Sequence, residues 1–462
     1  MGRFTRSDGA GGSWRWSSRI RPRFRHPSQV VVSAFAVTIA VGTGLLLLPV
    51  ARAGPDSATF LEALFTATSA VCVTGLVVVD TPVYWSGVGE VIIAGLIQVG
   101  GFGIMTMATL LVMAVTRRMG LRSRLQAAAE TRSLGLGDVR SVVVGVAKIT
   151  ILFEVAVAAI VTARLVTGYD EPFGRASWLG VFHAISAFNN AGFSLYSDSL
   201  MRFAHDPWIT LAIAAAFICG GLGFPVLMEL RRQFRQPRRW SLHTKITLTV
   251  TAILLVGGTA FFLVSEWRNP ATLQPMSAPA KLLNGFFSAA TTRTAGFNTL
   301  DTAAMTDGTW LGTSILMFIG GGSASTAGGI KVTTFALLFV VVLAEIRGER
   351  NVILFDRQVL ARTQRQALTV TLLGVAAIVG AALFLLEITD HPLDRMLFEV
   401  VSAFGTVGLS TGITDQLPAA GEVVIIVLMF VGRLGPITLA SALALRERDR
   451  RYELPEGRPI IG

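Results

Sequence analysis

The sequence predicts an all-α integral membrane protein, with four repeats arranged around one pore. Three observations predict it: a composition too apolar for a soluble domain, continuous runs long enough to cross a bilayer, and a glycine-centred segment that recurs four times. The chain has 462 residues, of which 52% are hydrophobic and 15% charged, whereas soluble domains carry about 25% charged residues. Residues 30–48, 142–166, 246–264 and 368–388 are apolar runs. Each is long enough, at about 1.5 Å per residue, to cross roughly 30 Å of hydrocarbon as a helix. A β-barrel would show short alternating segments instead.

The charge pattern gives the orientation. Net charge is +11, and 29 of the 40 Lys and Arg residues fall in five clusters: 1–28, 117–140, 231–245, 346–366 and 446–462. Two apolar crossings separate each cluster from the next. This is the positive-inside pattern, and it puts both termini and three connecting loops in the cytoplasm. The charge therefore orients a multi-pass chain in the lipid of a cell membrane, and no nucleic-acid partner is expected. Residues 1–28 read as a basic cytoplasmic tail without a signal-peptide cleavage site, and 447–462 as a second tail. Cys72 and Cys219 are the only cysteines; far apart in apolar context, they make neither a disulfide framework nor a metal motif.

Internal repetition then divides the chain. Phe65, Phe182, Phe286 and Phe398 are each followed four residues later by Ser69, Ser186, Ala290 or Ser402. Six further on come Gly75, Gly192, Gly296 and Gly408, each trailed by Leu or Phe. A second glycine mark, at Gly100, Gly220, Gly320 and Gly432, follows 25, 28, 24 and 24 residues later. Glycines are common in membrane helices, but four matches in two registers are not coincidence. Repeats 29–118, 141–232, 245–346 and 366–446 result. Each reads as a spanning helix, a re-entrant helix too short to span (58–69 and 393–402 are examples), a glycine turn and a second spanning helix. The total is eight transmembrane helices and four pore helices.

Irregular backbone at membrane depth is tolerated only where it is buried or lines water, so the four turns should converge on a pore. Carbonyl rings replace the hydration shell of a potassium ion in channels, and glycine supplies the positive φ that turns carbonyls inward. The expected filter residues are Val73, Thr74 and Gly75; Asn190, Ala191 and Gly192; Thr294, Ala295 and Gly296; and Thr406, Val407 and Gly408. None is acidic, which fits a large monovalent cation better than calcium. Asp80, Asp198, Asp301 and Asp415 follow the four glycines by five to seven residues. Capping a following helix and concentrating cations at an outer mouth are compatible roles for them.

Below the filter, the third repeat breaks pattern. The run Gly320, Gly321, Gly322, Ser323, Ala324, Ser325, Thr326, Ala327, Gly328, Gly329, Ile330, Lys331 begins with ten small residues in succession. It cannot hold a regular helix well and is expected to form a loop inside the cavity, whose flexibility suits a gate. Arg433 falls mid-span, where a charge is costly and usually functional. It is expected to face the pore and limit conduction, with a salt bridge to Glu399 as the structural alternative. Arg293 is expected to anchor the third turn from behind, with Glu62 as its candidate partner. His183 reads as a packing residue. No HExxH, GxSxG or paired-carboxylate motif accompanies it, so no enzyme is expected. A secondary transporter of another small cation or solute remains the alternative, but it would show two inverted halves.

The segments TSAVCVTGL, SAFNNAGFS, ATTRTAGFN and SAFGTVGLSTG, with GGGSASTAGGIK and FVGRLGP, resemble the Trk/Ktr/HKT superfamily of potassium transporters over about residues 29–446. One spanning helix precedes the first turn, which is similar to the Ktr-type membrane subunit (KtrB-like) rather than the Trk type. The resemblance implies a homodimer with one pore per protomer, seated on a cytoplasmic ring of nucleotide-binding RCK-type regulatory subunits. It implies K+ as the transported ion and no covalent cofactor. Gly at all four turn positions goes with potassium preference. Residues 320–331 match the family's intramembrane gating loop, and Arg433 its arginine beneath the filter.

Overall fold

The computed structural model describes residues 27–118, 139–349, 351–355 and 357–435. The two basic tails, most of the cluster at 117–140 and the end of the fourth repeat lie outside the described residues. In the first repeat, α1 (Pro27–Leu46) crosses, α2 (Phe60–Val71) re-enters, the one-turn α3 (Thr81–Tyr84) follows the glycine turn, and α4 (Gly87–Arg118) crosses back. The second repeat comprises α5 (Val139–Tyr169), α6 (Phe173–Phe188), α7 (Pro207–Leu222) and α8 (Phe224–Gln233). The third comprises α9 (Leu242–Glu266), α10 (Ala278–Thr291), α11 (Asp307–Phe318) and α12 (Val332–Ile346). A two-stranded hairpin, β1 (Ile353–Leu354) with β2 (Arg357–Gln358), leads to the fourth: α13 (Ala361–Ile388), α14 (Leu393–Gly405) and α15 (Ala419–Leu434).

Two of the short helices, α2 and α11, start on side-chain caps that satisfy a first-turn amide. Thr59 and Glu62 form a reciprocal capping box at the head of α2, and Thr306 caps α11 through the Thr309 amide. The frame phenylalanines explain how each short helix is held. Phe65, Phe182 and Phe398 are fully buried, while in the third repeat Phe287 takes the core position and Phe286 is only partly buried. Outward faces are apolar instead of polar: Leu152, Val155, Val256, Val264 and Leu372 are all exposed. In a chain of this hydropathy such a surface meets lipid, not water.

The second spanning helices of repeats two, three and four depart from the sequence expectation, while that of repeat one does not. Among the described residues five helices, α1, α4, α5, α9 and α13, are long and apolar enough to cross a bilayer unbroken. The second crossing of repeat two bends by 100° between α7 and α8. The break falls at Gly223, whose φ of 93° lies outside the right-handed helical region and suits glycine alone. In repeat three the glycine- and serine-rich run separates α11 from α12. In repeat four α15 has 16 residues and ends at Leu434, followed by Gly435 at φ 81°.

Candidate functional site

The four glycine turns meet in a closed ring. In each, the residue two before the glycine adopts positive φ: Val73 56°, Asn190 61°, Thr294 66° and Thr406 49°. The glycines follow at 93°, 71°, 79° and 92°, with Thr74, Ala191, Ala295 and Val407 at ordinary negative φ between them. Alternating handedness swings successive carbonyls to one side of the chain, which an ordinary turn does not do. The glycines close the ring between repeats. A Cβ on Gly75 would lie 2.4 Å from the Ala191 oxygen, on Gly192 2.9 Å from that of Ala295, on Gly296 2.6 Å from that of Val407, and on Gly408 2.1 Å from that of Thr74. Each glycine thus makes room for a carbonyl oxygen of the next repeat, and the fourth returns to the first. All twelve expected filter residues are brought together.

Hydroxyls behind the turns fix their shape. The amides of Thr74, Ala191 and Val407 donate to the carbonyls of Ser69, Ser186 and Ser402 at 2.7–2.8 Å. Ser69 and Ser402 also accept from the Gly75 and Gly408 amides at 3.0 and 3.1 Å, and Ser186 donates to the Phe193 carbonyl at 2.8 Å. The third repeat has Ala290 at this place and uses its neighbour instead, with Thr291 donating to the Phe297 carbonyl at 2.7 Å. The second glycine mark also acquires a reason. A Cβ on Gly100, Gly220 or Gly432 would lie 2.1, 1.9 or 1.8 Å from the carbonyl of Val71, Phe188 or Phe404, the residue four before each turn glycine. The long helix admits the C-terminal end of its own pore helix through that missing side chain. In repeat three Gly320 packs against the Gly328 carbonyl, because the helix has already ended.

Residues 320–331 lie directly beneath the ring. The loop is bonded on both sides. Gly322 and Thr326 amides donate to the Gly221 and Gly220 carbonyls at 2.8 and 3.3 Å, and Gly320 donates to Ile330 at 2.8 Å. The buried Thr326 hydroxyl donates to the Asn190 side-chain oxygen at 2.8 Å, and Gly328 abuts the Thr406 hydroxyl. Within the loop, Ser325 donates to the Gly322 carbonyl at 2.6 Å, Ser323 bonds Thr333 at 3.0 Å, and Lys331 donates to the Ala327 carbonyl at 2.5 Å. Gly329 sits at φ 60°. The segment expected to form a loop is one, and it is hydrogen-bonded to its neighbours along much of its length.

Neither arginine takes the carboxylate partner considered for it. Arg433 is buried and donates to the Thr326 carbonyl. Glu399 instead accepts from Ser410, from the Thr411 amide at 3.1 Å and from Thr414 at 3.2 Å. Its oxygens are already committed, so Arg433 ties the loop and not the pore helix. Arg293 is buried with no hydrogen-bond partner for its guanidinium among the described residues. Glu62 belongs to Thr59 and to Tyr84, the latter at 2.6 Å.

On the side of the ring away from residues 320–331 is a cavity of about 420 Å³, lined by Gly75, Gly192, Gly296 and Gly408 and by Asp80, Asp301 and Asp415. Asp198 does not line it; Arg202 pairs with it at 2.7 Å and lies over the Tyr196 ring at 4.3 Å. Asp80 accepts from Ser197 at 2.6 Å, and Asp301 caps the Ala303 amide at 2.9 Å. Burial pushes the Tyr196 phenol up to about 12, so it adds no charge to the mouth. His183 bonds the Leu179 carbonyl and Ser194 at 2.7 and 3.0 Å within the second repeat, as a packing residue does. Cys72 is buried.

Four converging re-entrant helices and glycine turns on a polytopic apolar bundle define a membrane transport protein built on pore loops. The family comparison agrees: a model of cation transport proteins, TrkH, matches residues 8–452, and the chain belongs to that family. This places it with transporters and not with enzymes. The Ktr system potassium uptake protein B of Bacillus subtilis is 42% identical over 94% of this chain and 97% of its own. The protein of the same name from Vibrio alginolyticus is 37% identical over 94% of each chain. The potassium/sodium uptake protein NtpJ of Enterococcus hirae is 34% identical over 96% of this chain and 99% of its own. The crystal structure of the potassium transporter TrkH from Vibrio parahaemolyticus shares the fold, with TM-score 0.74 and 18% identity over 92% of this chain and 86% of that one.

Proposed function

We propose that the chain carries potassium ions inward across the cell membrane through the carbonyl ring at Gly75, Gly192, Gly296 and Gly408. The observation that carries this is the closed cycle of glycine-to-carbonyl contacts between repeats. A neutral oxygen ring replaces the hydration shell of a large monovalent cation without supplying the fixed charge that a divalent ion demands. The potassium uptake proteins among its relatives support the same cargo. Val73, Asn190, Thr294 and Thr406 open the carbonyl run and the glycines end it. Asp80, Asp301 and Asp415 raise cation concentration at the outer mouth. Residues 320–331 are the gate: the Thr326 bond to Asn190 and the Arg433 bond to the Thr326 carbonyl hold it closed, and conduction requires it to shift.

The reading extends to assembly. The chain works as a homodimer with one pore per protomer, both termini cytoplasmic, on a ring of nucleotide-binding RCK-type subunits that move the gate. Family resemblance supports this part, as does the similarity to subunits named for a Ktr system. The test is growth of a potassium-uptake-deficient bacterium at low external potassium, with rubidium influx as direct readout. Rescue with rubidium influx is expected. Absence of both, with and without an RCK-type partner, overturns the proposal. Rescue accompanied by equal sodium influx would favour a less selective cation pathway, as the potassium/sodium uptake relative suggests.

A further inference from the structure

At the back of the second turn lies a carboxylate that the ring does not need. Glu154, on the spanning helix α5, is half-buried and forms no ion pair among the described residues. Its two oxygens accept from neutral amides: Asn189 Nδ2 at 3.1 Å and Gln98 Nε2 at 3.3 Å. Asn189 Nδ2 also donates to Gln98 Oε1 at 2.9 Å and to the Ile185 carbonyl at 2.9 Å. Three elements therefore meet on this carboxylate: α4 of the first repeat, α5, and the end of pore helix α6. Asn189 is the C-cap of that helix; the next residue, Asn190, begins the turn at φ 61° and carries the bond to Thr326. The corresponding positions in the other repeats are Cys72, Arg293 and Gly405, which have no such carboxylate. A lone ionisable side chain within a membrane span is expensive unless it has a use, and packing alone would be served by glutamine.

We propose that Glu154 is a positioning residue whose protonation state sets the geometry of the second turn, and with it ion discrimination and loop contact. The inference rests on the transport reading given above. Ionised Glu154 accepts from both amides and holds Asn189 in place. Protonated, it carries an O–H that needs an acceptor, and it accepts more weakly at that oxygen. Asn189 Nδ2, which has Gln98 Oε1 and the Ile185 carbonyl as its other acceptors, then releases the carboxyl and its amide rotates. The Asn189 Oδ1 is buried without a partner and abuts Gly101; rotation of the amide turns this oxygen toward the new proton. The charged groups on the surrounding elements are committed elsewhere or distant. Glu90 on α4 accepts from Trp178 at 2.6 Å, and Asp206 at the head of α7 pairs with Arg164 at 2.6 Å. Arg175 on α6 pairs with Glu171 at 3.6 Å, and His183 is bonded as described. Lys148 lies on α5 itself, six residues before Glu154, and makes no ion pair among the described residues.

The test uses the full chain reconstituted in liposomes, with rubidium influx and its competition by sodium followed from mildly acidic to mildly alkaline pH. Wild type is expected to change its rubidium-over-sodium preference through a single titration, by roughly tenfold, the scale set by loss of one charged hydrogen bond. Glu154→Gln should conduct with a flat pH profile. Glu154→Asp should restore a titration, and Asn189→Leu should abolish it although Glu154 remains. A purely structural Glu154 would leave the pH profile of any conducting variant unchanged. A wild-type preference independent of pH, or a conducting Glu154→Gln that keeps the wild-type titration, overturns the inference. If Glu154→Gln does not reach the membrane, Gln98→Met decides: an unmoved titration overturns the inference. No rubidium influx in wild type would instead overturn the transport reading itself.

Discussion

A methyl group on Gly408 would sit 2.1 Å from the Thr74 oxygen, and one on Gly75 2.4 Å from that of Ala191. Backbone atoms cannot yield as a flexible side chain does, so the ring must open or distort. Gly412 makes a natural control: its φ is also positive at 83°, yet a Cβ there meets nothing within 4 Å. Gly412→Ala carries only the left-handed strain, of order 1 kcal/mol. Gly408→Ala and Gly75→Ser are therefore expected to lower rubidium-over-sodium discrimination by roughly tenfold, since a distortion worth ~1.4 kcal/mol suffices for that. Gly412→Ala should leave discrimination near wild type. Competition between the ions in influx assays, normalised to protein in the membrane, checks this. Equal discrimination in all three variants would remove the ring from selectivity.

Among elements, the loop at 320–331 shows what the sequence could and could not say. Ten small residues announce a broken helix, and the structure has one. The same composition also suggests mobility, yet Gly220, Gly221, Asn190 and Thr406 all bind or abut the segment. Partners so far along the chain leave no local mark. The glycine frame was legible because each constraint, positive φ or close approach, falls on a single residue type. The exchange of Ser for Thr291 in the third turn, and the Glu154 network, were not, since hydroxyls and amides substitute for one another with changed partners. Arg433 was legible as important but not in its contact. Two roles now compete for it, a fixed charge under the ring and a tie on the loop, and flux separates them. Deleting residues 323–328 should raise rubidium influx, and Arg433→Gln should raise it less. If the arginine acts through the loop, Arg433→Gln in the deletion background should add almost nothing. Additive increases would mean that its charge acts on the ion directly, and unchanged flux in the deletion would remove the gating role.

At the scale of the whole molecule, fourfold likeness in sequence becomes inequality in place. One repeat supplies the loop at 320–331, another the arginine that donates to it, and a third the carboxylate behind its turn. The outer mouth follows the same rule, because Asp80, Asp301 and Asp415 face the cavity while Asp198 is neutralised by Arg202. Capping and attraction make different demands on these aspartates. Of the three that face the cavity only Asp301 caps through its side chain, and Asn caps as well as Asp does, so Asp→Asn removes the charge and keeps that cap. Asp80→Asn, Asp301→Asn and Asp415→Asn are each expected to lower rubidium influx a few-fold at low ionic strength, the lower end of what electrostatic focusing supplies. Asp198→Asn should not, and by freeing Arg202 it should if anything depress influx through repulsion. Near 1 M of an impermeant salt the screening length falls to about 3 Å, and the three mouth variants should then converge on wild type. Loss that persists at high salt would assign these aspartates to structure, and equal effects at all four positions would contradict the asymmetry of the mouth.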